Sequence, residues 1–538
     1  MGCCWLASPE LALSPAICGR ARPALGLPVV PTATNRAGCR ILACKIPRKV
    51  REPRRQVPDR KNAEKEARAL TSRITKASSA AELLDLLDKQ VRSKVFNEYH
   101  LTAFMTMLAR FKRRYQLRQG CFSSSPALAK LADRLYDMLQ QDLLSPRSTS
   151  NAFYAVGELC QEMEKHLSQL LPKLCETVRS KAGDMESQGL SNCVLAATKL
   201  HDVSPDVLVV VPALAGSIRD KAVDMNPQEL SNSLLAAAKL HDVSPEVLTA
   251  VPSIAMCIPH HVRGMKPQEL SNSLWAAEKL QDASSEVLDA VPALANRIQH
   301  KVEDLEPQGL SNCILAAAKL QDSVPQVLDV VPALARRIPD KIEDMIPQHL
   351  SNCLWAAEKL QDASPDVLDA VPALSKRIPD KVDDMIPQGL SSCLLASAKL
   401  QDASPDVLVV VPAIAKRIPS NVDDMNPQEL SNLLVAAAKL QQSGPEVLKA
   451  VPCIVRRLQK IINTMDMQGL ATNFWAAGKL KDASPEVLAL VPKLIDRICP
   501  AVSQFVPEGL HMSLWASQQF EECELAAKLR AELDRRQR

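Results

Sequence analysis

Glycine is scarce in this chain, at 16 residues, and aromatic residues make up only 3% of it. With 46% of residues hydrophobic and so few rings, the core must be built mainly from Leu, Val, Ala and Ile, which suits close-packed helices better than a large β-sandwich. No phosphate-cradling glycine loop, no Ser/His/Asp grouping and no metal-ligand spacing occurs, and the nine His residues lack a recurrent acidic partner. The chain is therefore read as non-catalytic, with no cofactor and no metal. No apolar run reaches the length of about 18 residues that would suggest a membrane span.

Acidic residues are nearly missing from the start. From Met1 to Val50 the only one is Glu10, while Arg20, Arg22, Arg36, Arg40, Lys45, Arg48 and Lys49 lie among Ala, Pro, Ser and Thr. This pattern predicts a transit peptide or disordered basic segment over 1–60, a linker over 61–80, and a plastid or mitochondrial location. The start Met1-Gly2-Cys3-Cys4 offers lipid anchoring as an alternative, but Leu6 stands where the acylation motif wants Ser or Thr. Residues 1–150 hold 27 basic and 12 acidic residues, whereas the remainder holds 38 and 49. The later part thus has no general basic excess of the kind that marks non-specific nucleic-acid binders.

Proline, by contrast, is abundant at 38, and it recurs at fixed places beside Leu and Val. The reason is a repeat. An anchor leucine falls at Leu190, Leu230, Leu270, Leu310, Leu350, Leu390, Leu430, Leu470 and Leu510, every step being 40 residues. Two weaker copies precede them, at Leu101 to Phe111 and at Ser150 to Leu159. The expected organisation is degenerate N-terminal capping repeats over 81–180, tandem 40-residue repeats over 181–520, and a C-terminal capping helix over 521–538.

Each unit reads as two helices. In helix A, Pro227 suits the first turn, and Leu230, Leu234 and Ala237 share a face. Helix B restarts at Ser404-Pro405, with Ser404 as N-cap and apolar residues at Val407, Val411, Ile414, Ile418, Val422 and Met425. Pro412 and Pro419 lie inside that pattern. Because the apolar phase continues past both, a kinked helix is expected, with a break at either proline as the alternative. The fold class is all-α, an α-solenoid of paired-helix repeats with helix B kinked at internal prolines. One hairpin cannot bury its apolar face alone; stacking buries it.

Cys193, Cys313, Cys353 and Cys393 occupy one repeat position. Stacked helices lie about 10 Å apart, too far for disulfides or a shared metal, so these thiols read as small packing residues. Candidate binding residues form rows. Lys199, Lys239, Lys279, Lys319, Lys359, Lys399, Lys439 and Lys479 either track phosphates, or answer the dipole of helix A and pair with an Asp three residues on, as Lys359 with Asp362. Arg297, Arg337, Arg377, Arg417, Arg457 and Arg497 form a row in helix B confined to the C-terminal half, since the matching earlier positions are Thr177, Ser217 and Cys257; it contacts phosphate or is consumed by Asp340 and Asp380. Asn192, Asn232, Asn272, Asn312, Asn352 and Asn432 read best as a ladder bonding a neighbouring repeat's backbone. Trp275 and Trp355 are stacking candidates, although tryptophan at this spacing is more often core. Three residues after each stands Glu278 or Glu358, at a place on helix A that differs from unit to unit and is the best candidate for base reading.

The strings P-Q-E-L-S-N-S-L-W-A-A-E-K-L from Pro267 and P-Q-H-L-S-N-C-L-W-A-A-E-K-L from Pro347 resemble helix A of the octotricopeptide-repeat family. The entry Ala81-Glu82-Leu83-Leu84, followed by Phe96-Asn97-Glu98-Tyr99-His100-Leu101, is similar to the start of related organellar proteins that include the FAST-kinase-like group. The resemblance covers about residues 80–530. It implies paired-helix units, an organellar location and RNA binding in transcript processing, stability or translation. An organellar RNA-binding adaptor, helped by the basic stretch Arg110 to Arg114, is the leading expectation; a protein-binding scaffold is the alternative, on the acidic balance and the near identity of the units.

Overall fold

The structure, a computed structural model, describes residues 60–114 and 122–537. The expected transit peptide and lipid anchor lie outside the described residues. Among the described residues there is no strand, and helices follow one another in a regular 40-residue repeat that forms an α-solenoid.

From Ser187–Leu200 to Met467–Leu480 helix A is the same 14-residue helix in each unit, as at Pro227–Leu240, Pro267–Leu280 and Pro307–Leu320. Each A helix packs on the next, from Glu98–Arg114 through Pro146–Glu158 and Ser187–Leu200 to Pro507–Gln519, making one layer. The anchor leucines are all fully buried. Small side chains let the helices close up: Ser231 is buried and its hydroxyl donates to the Glu269 carbonyl of the next unit at 2.9 Å. The helix is started by Pro at its first position in most units, and by an Asn side chain accepting from the third helical N–H at Asn226 and Asn426.

The second layer differs from the expected single kinked helix. In the unit after Leu240 it consists of a 3-10 turn at Pro245–Ala250, an α-helix at Val251–His261 and a second 3-10 turn at Val262–Gly264. The first proline explains the first change of pitch. Pro252 has no N–H for the Leu248 carbonyl, which accepts from Val251 instead, in the i to i+3 bond of a 3-10 turn. Pro412 falls in the first turn of its α-helix for the same reason, so no interior bond is lost there. Pro419, Pro379, Pro339 and Pro259 do lie inside the α segment. Ser404 precedes the 3-10 turn but makes no capping bond with its side chain.

The α segment of each B region packs on the 3-10 turn of the following unit, which closes the second layer. Residues 61–80, expected to be a linker, are mostly helix: Arg60–Lys76 packs on Glu98–Arg114 and buries Leu70 and Ile74. The final helix, Cys523–Gln537, packs on Pro507–Gln519. Cys193, Cys313, Cys353 and Cys393 are buried as free thiols, and burial pushes those of Cys353 and Cys393 up to about 12. They are inert packing residues.

Candidate nucleic-acid interface on helix A

Burial divides helix A cleanly. In Pro227–Leu240 the residues after the first that keep solvent contact are Gln228, Asn232, Leu235 and Lys239, spaced four, three and four, which is one helical stripe. Equivalent residues hold the same place in successive units. From Ser187 to Leu480 the stripe therefore repeats as rows of amide, amide (Ser392 and Thr472 excepted), apolar or indole, and ammonium across the A layer. The row from Gln188 to Gln468 is exposed throughout, and it was not among the expected binding rows. Its signal was there: it lies one turn before the asparagine row.

The stripe carries eight lysines and no acid between Ser187 and Leu480. The acidic residues of those helices are Glu229, Glu269, Glu278, Glu358 and Glu429. The first four are buried, and Glu429 is turned to the N-cap, accepting from the Asn426 N–H at 2.9 Å. The acidic excess of the array lies on its turns and B regions instead.

Glu278 and Glu358 do not face solvent as base readers would. They are only 5% and 8% exposed and are paired across the repeat boundary: Lys319 Nζ lies 2.9 Å from Glu278, and Lys399 Nζ 2.7 Å from Glu358. Lys199 answers Glu158 in the same way at 2.8 Å. Lys279 and Lys359 add weaker contacts to the glutamates of their own units, at 3.7 Å each. The pairing is thus with a carboxylate 41 residues back, not with the Asp three residues on. Burial pulls the Lys279 pKa down while Glu278 opposes the shift.

Trp275 and Trp355 stand at the apolar place of the stripe, partly buried against the core. Lys279 lies 5.9 Å from the Trp275 ring and Lys359 5.7 Å from that of Trp355. At the C-terminal end Trp475 and Trp515 take the same place in adjacent units. The asparagine ladder does not form as expected. The asparagines keep partial solvent contact, and the Asn432 side chain accepts from Gln428 of its own helix at 3.1 Å, not from a neighbouring unit's backbone.

The arginine row is on a different edge. Each member reaches back to the 3-10 turn that precedes a helix A, one unit earlier: Arg297 to the Arg263 carbonyl at 3.1 Å, Arg337 to Glu303 at 3.1 Å, Arg377 to Glu343 at 3.3 Å, Arg417 to Asp383 at 3.2 Å and Arg457 to Asp423 at 2.8 Å. Arg497 makes a longer contact, 3.5 Å, to Met465. Arg337 and Arg377 also pair with Asp340 and Asp380, at 2.8 and 3.2 Å. In the unit with Ser217 at the arginine place, a lysine one turn later reaches the equivalent carbonyl, Lys221 donating to Gly183 at 2.8 Å. Arg and Lys thus serve one need, the unpaired carbonyl at a helix end. These arginines bind their own chain. In the basic stretch, Lys112 is held by Glu162 at 2.8 Å and Arg113 by the Tyr154 hydroxyl at 2.9 Å.

A family model described as a protein of unknown function, DUF1601, matches residues 299–326. That span is one helix A with its flanking turns. No curated protein matches the chain. Among solved structures, a chain of a homology model of the full-length AP-3 complex in an intermediate open conformation is similar at 12% identity, over 84% of this chain and 82% of that one. Its TM-score is 0.29, too low to bear on function.

Proposed function

We propose that this chain is a non-catalytic organellar RNA-binding adaptor that acts in transcript processing, stability or translation, with the stripe of helix A as its RNA-facing surface. The observation that carries the reading is the acid-free stripe from Ser187 to Leu480, in which amides, apolar or indole side chains and lysines recur in each unit. Those are the groups that single-stranded RNA engages, through base edges, stacking and phosphate. The resemblance of Pro267 to Leu280 to the octotricopeptide-repeat helix A agrees with it. A net acidic array is no obstacle when its acids lie on the turns and the B layer. The rival reading, a protein-binding scaffold, draws on that acidic excess and on the uniform asparagine and glutamine rows.

A filter-binding titration of the full chain against a pool of organellar transcripts over a salt series separates the two. Lys439 and Lys479 have Ala398 and Ala438 at the place of the pairing glutamate. The double variant K439Q/K479Q should bind more weakly and flatten the salt slope by about 1.4, since each phosphate left without its lysine on a single strand takes away roughly 0.7. An unchanged slope, or no enriched transcript, rejects the RNA reading in favour of a protein partner.

A further inference from the structure

The stripe is not uniform along its length. Its acidic partners stop before the C-terminal end, where Ala438 and Gly478 hold the place that Glu278 and Glu358 hold earlier. Lys439 and Lys479 are exposed. Charge changes with them: residues 187–426 hold 20 basic and 31 acidic residues, but residues 427–500 hold 9 basic and 6 acidic. On the other layer of the same stretch Lys449, Arg456 and Lys460 are exposed as well.

Rings are concentrated in the same place. Trp275 and Trp355 are two units apart, whereas Trp475 and Trp515 come from neighbouring units, with ring centroids 6.4 Å apart and planes tilted by 45°. Lys479 lies 4.5 Å from the centre of the Trp515 ring and 5.9 Å from that of Trp475. Gly478 lies against the second ring: a Cβ at that position would stand 3.0 Å from Cζ3 of Trp515, a tight approach that the indole would relieve by a small shift.

We infer that Trp475, Lys479 and Trp515 form the stacking subsite of the helix A surface, which takes one unpaired base of a single-stranded nucleic acid together with its phosphate. The inference rests on the RNA reading and adds where on the surface the strand is gripped. The tilt leaves no parallel slot between the rings, so the base does not insert between them. It displaces the Lys479 ammonium from the face of Trp515, and the exposed ammonium swings to the phosphate. Both partners of the original cation–ring contact are then used by the ligand. At Lys319, 6.0 Å from the Trp355 ring, the same exchange would strand the buried Glu278 carboxylate.

Leucine stands at the tryptophan position in four other units, as Leu195, Leu235, Leu315 and Leu395, so Trp→Leu keeps a side chain that the fold already accepts. The full chain, W475L/W515L, W275L/W355L and G478E are titrated against a labelled mixed-sequence single-stranded RNA and an abasic oligonucleotide of equal length, with thermal denaturation as a check on folding. W475L/W515L should lose about tenfold in affinity for the RNA. It should bind the abasic strand as the parent does. W275L/W355L, which lacks neighbouring rings from the start, should lose less affinity for the RNA than W475L/W515L does. G478E should behave like W475L/W515L, because the new carboxylate meets Trp515 and captures Lys479. RNA binding by W475L/W515L equal to that of W275L/W355L, or an equal loss on the abasic strand, overturns the stacking subsite and leaves the RNA reading standing. No binding of RNA by the parent chain overturns both.

Discussion

The units before residue 427 and the two that follow share the same helix A, yet their lysines are in different chemical situations. Lys319 and Lys399 complete ion pairs with buried glutamates, whereas Lys439 and Lys479 have Ala398 and Ala438 opposite them and are exposed. A residue of one type at one repeat position is part of the packing in one unit and free surface in another. The residue that decides is 41 positions away, in the neighbouring unit. A row read from sequence therefore does not have one role.

Substitution of the paired lysines should break this contrast most strongly. Lys319→Gln leaves Glu278 buried with only Lys279 near it, at 3.7 Å. Because Lys319 itself is 32% exposed, the loss should be about 1–2 kcal/mol rather than the larger cost of a fully buried pair. Lys439→Gln should stay within about 0.5 kcal/mol. Urea denaturation of both variants decides the matter; equal stabilities would show that the ion pair contributes nothing.

The capture of turn carbonyls gives a second contrast, between Lys221 early in the array and the arginines later. Arg417→Ala removes the bond to the Asp383 carbonyl and should cost about 1 kcal/mol. Residue Asn421 occupies the position that Lys221 holds in its own unit. Arg417→Ala/Asn421→Lys should recover most of the loss in thermal denaturation. Failure to recover would mean that the two cations do not serve the same carbonyl.

The smallest effect concerns pH. His349 takes the place of Glu229 and Glu269, its Nδ1 is buried without a partner, and burial lowers its pKa from the ordinary value of 6.5. The unfolded chain then binds a proton more readily than the folded one, so stability is full above about pH 6.5 and declines as pH falls through that value. The decline should be a few tenths of a kcal/mol for this half-buried ring. His349→Glu should remove that part of the difference between melting at pH 5 and pH 7.5, and an unchanged difference would rule out His349 as its source.

Much of the fold was legible because it rests on spacing. The 40-residue step, the anchor leucines and the proline at the head of helix A each state a local geometric need, and the structure meets each in place. The course of helix B was less legible. Apolar spacing is nearly the same for a kinked α-helix and for an α segment between 3-10 turns, and only the bonding of carbonyls such as Leu248 separates them. The candidate site was half legible: the lysine and tryptophan rows lie on one face of helix A, but the glutamates beside them point inward, and the arginines are turned onto the backbone.

What the sequence alone determined is the repeat, its two layers and the residues that share a face, since all of these follow from periodicity along one chain. The tertiary structure decided which charged side chains remain available to a ligand. The carboxylate that holds Lys319 and the carbonyl that holds Arg297 sit in the adjacent unit, 41 and 34 residues away. Coulombic pairing and burial depend on distance through space, and periodicity carries no information about that until the units are stacked.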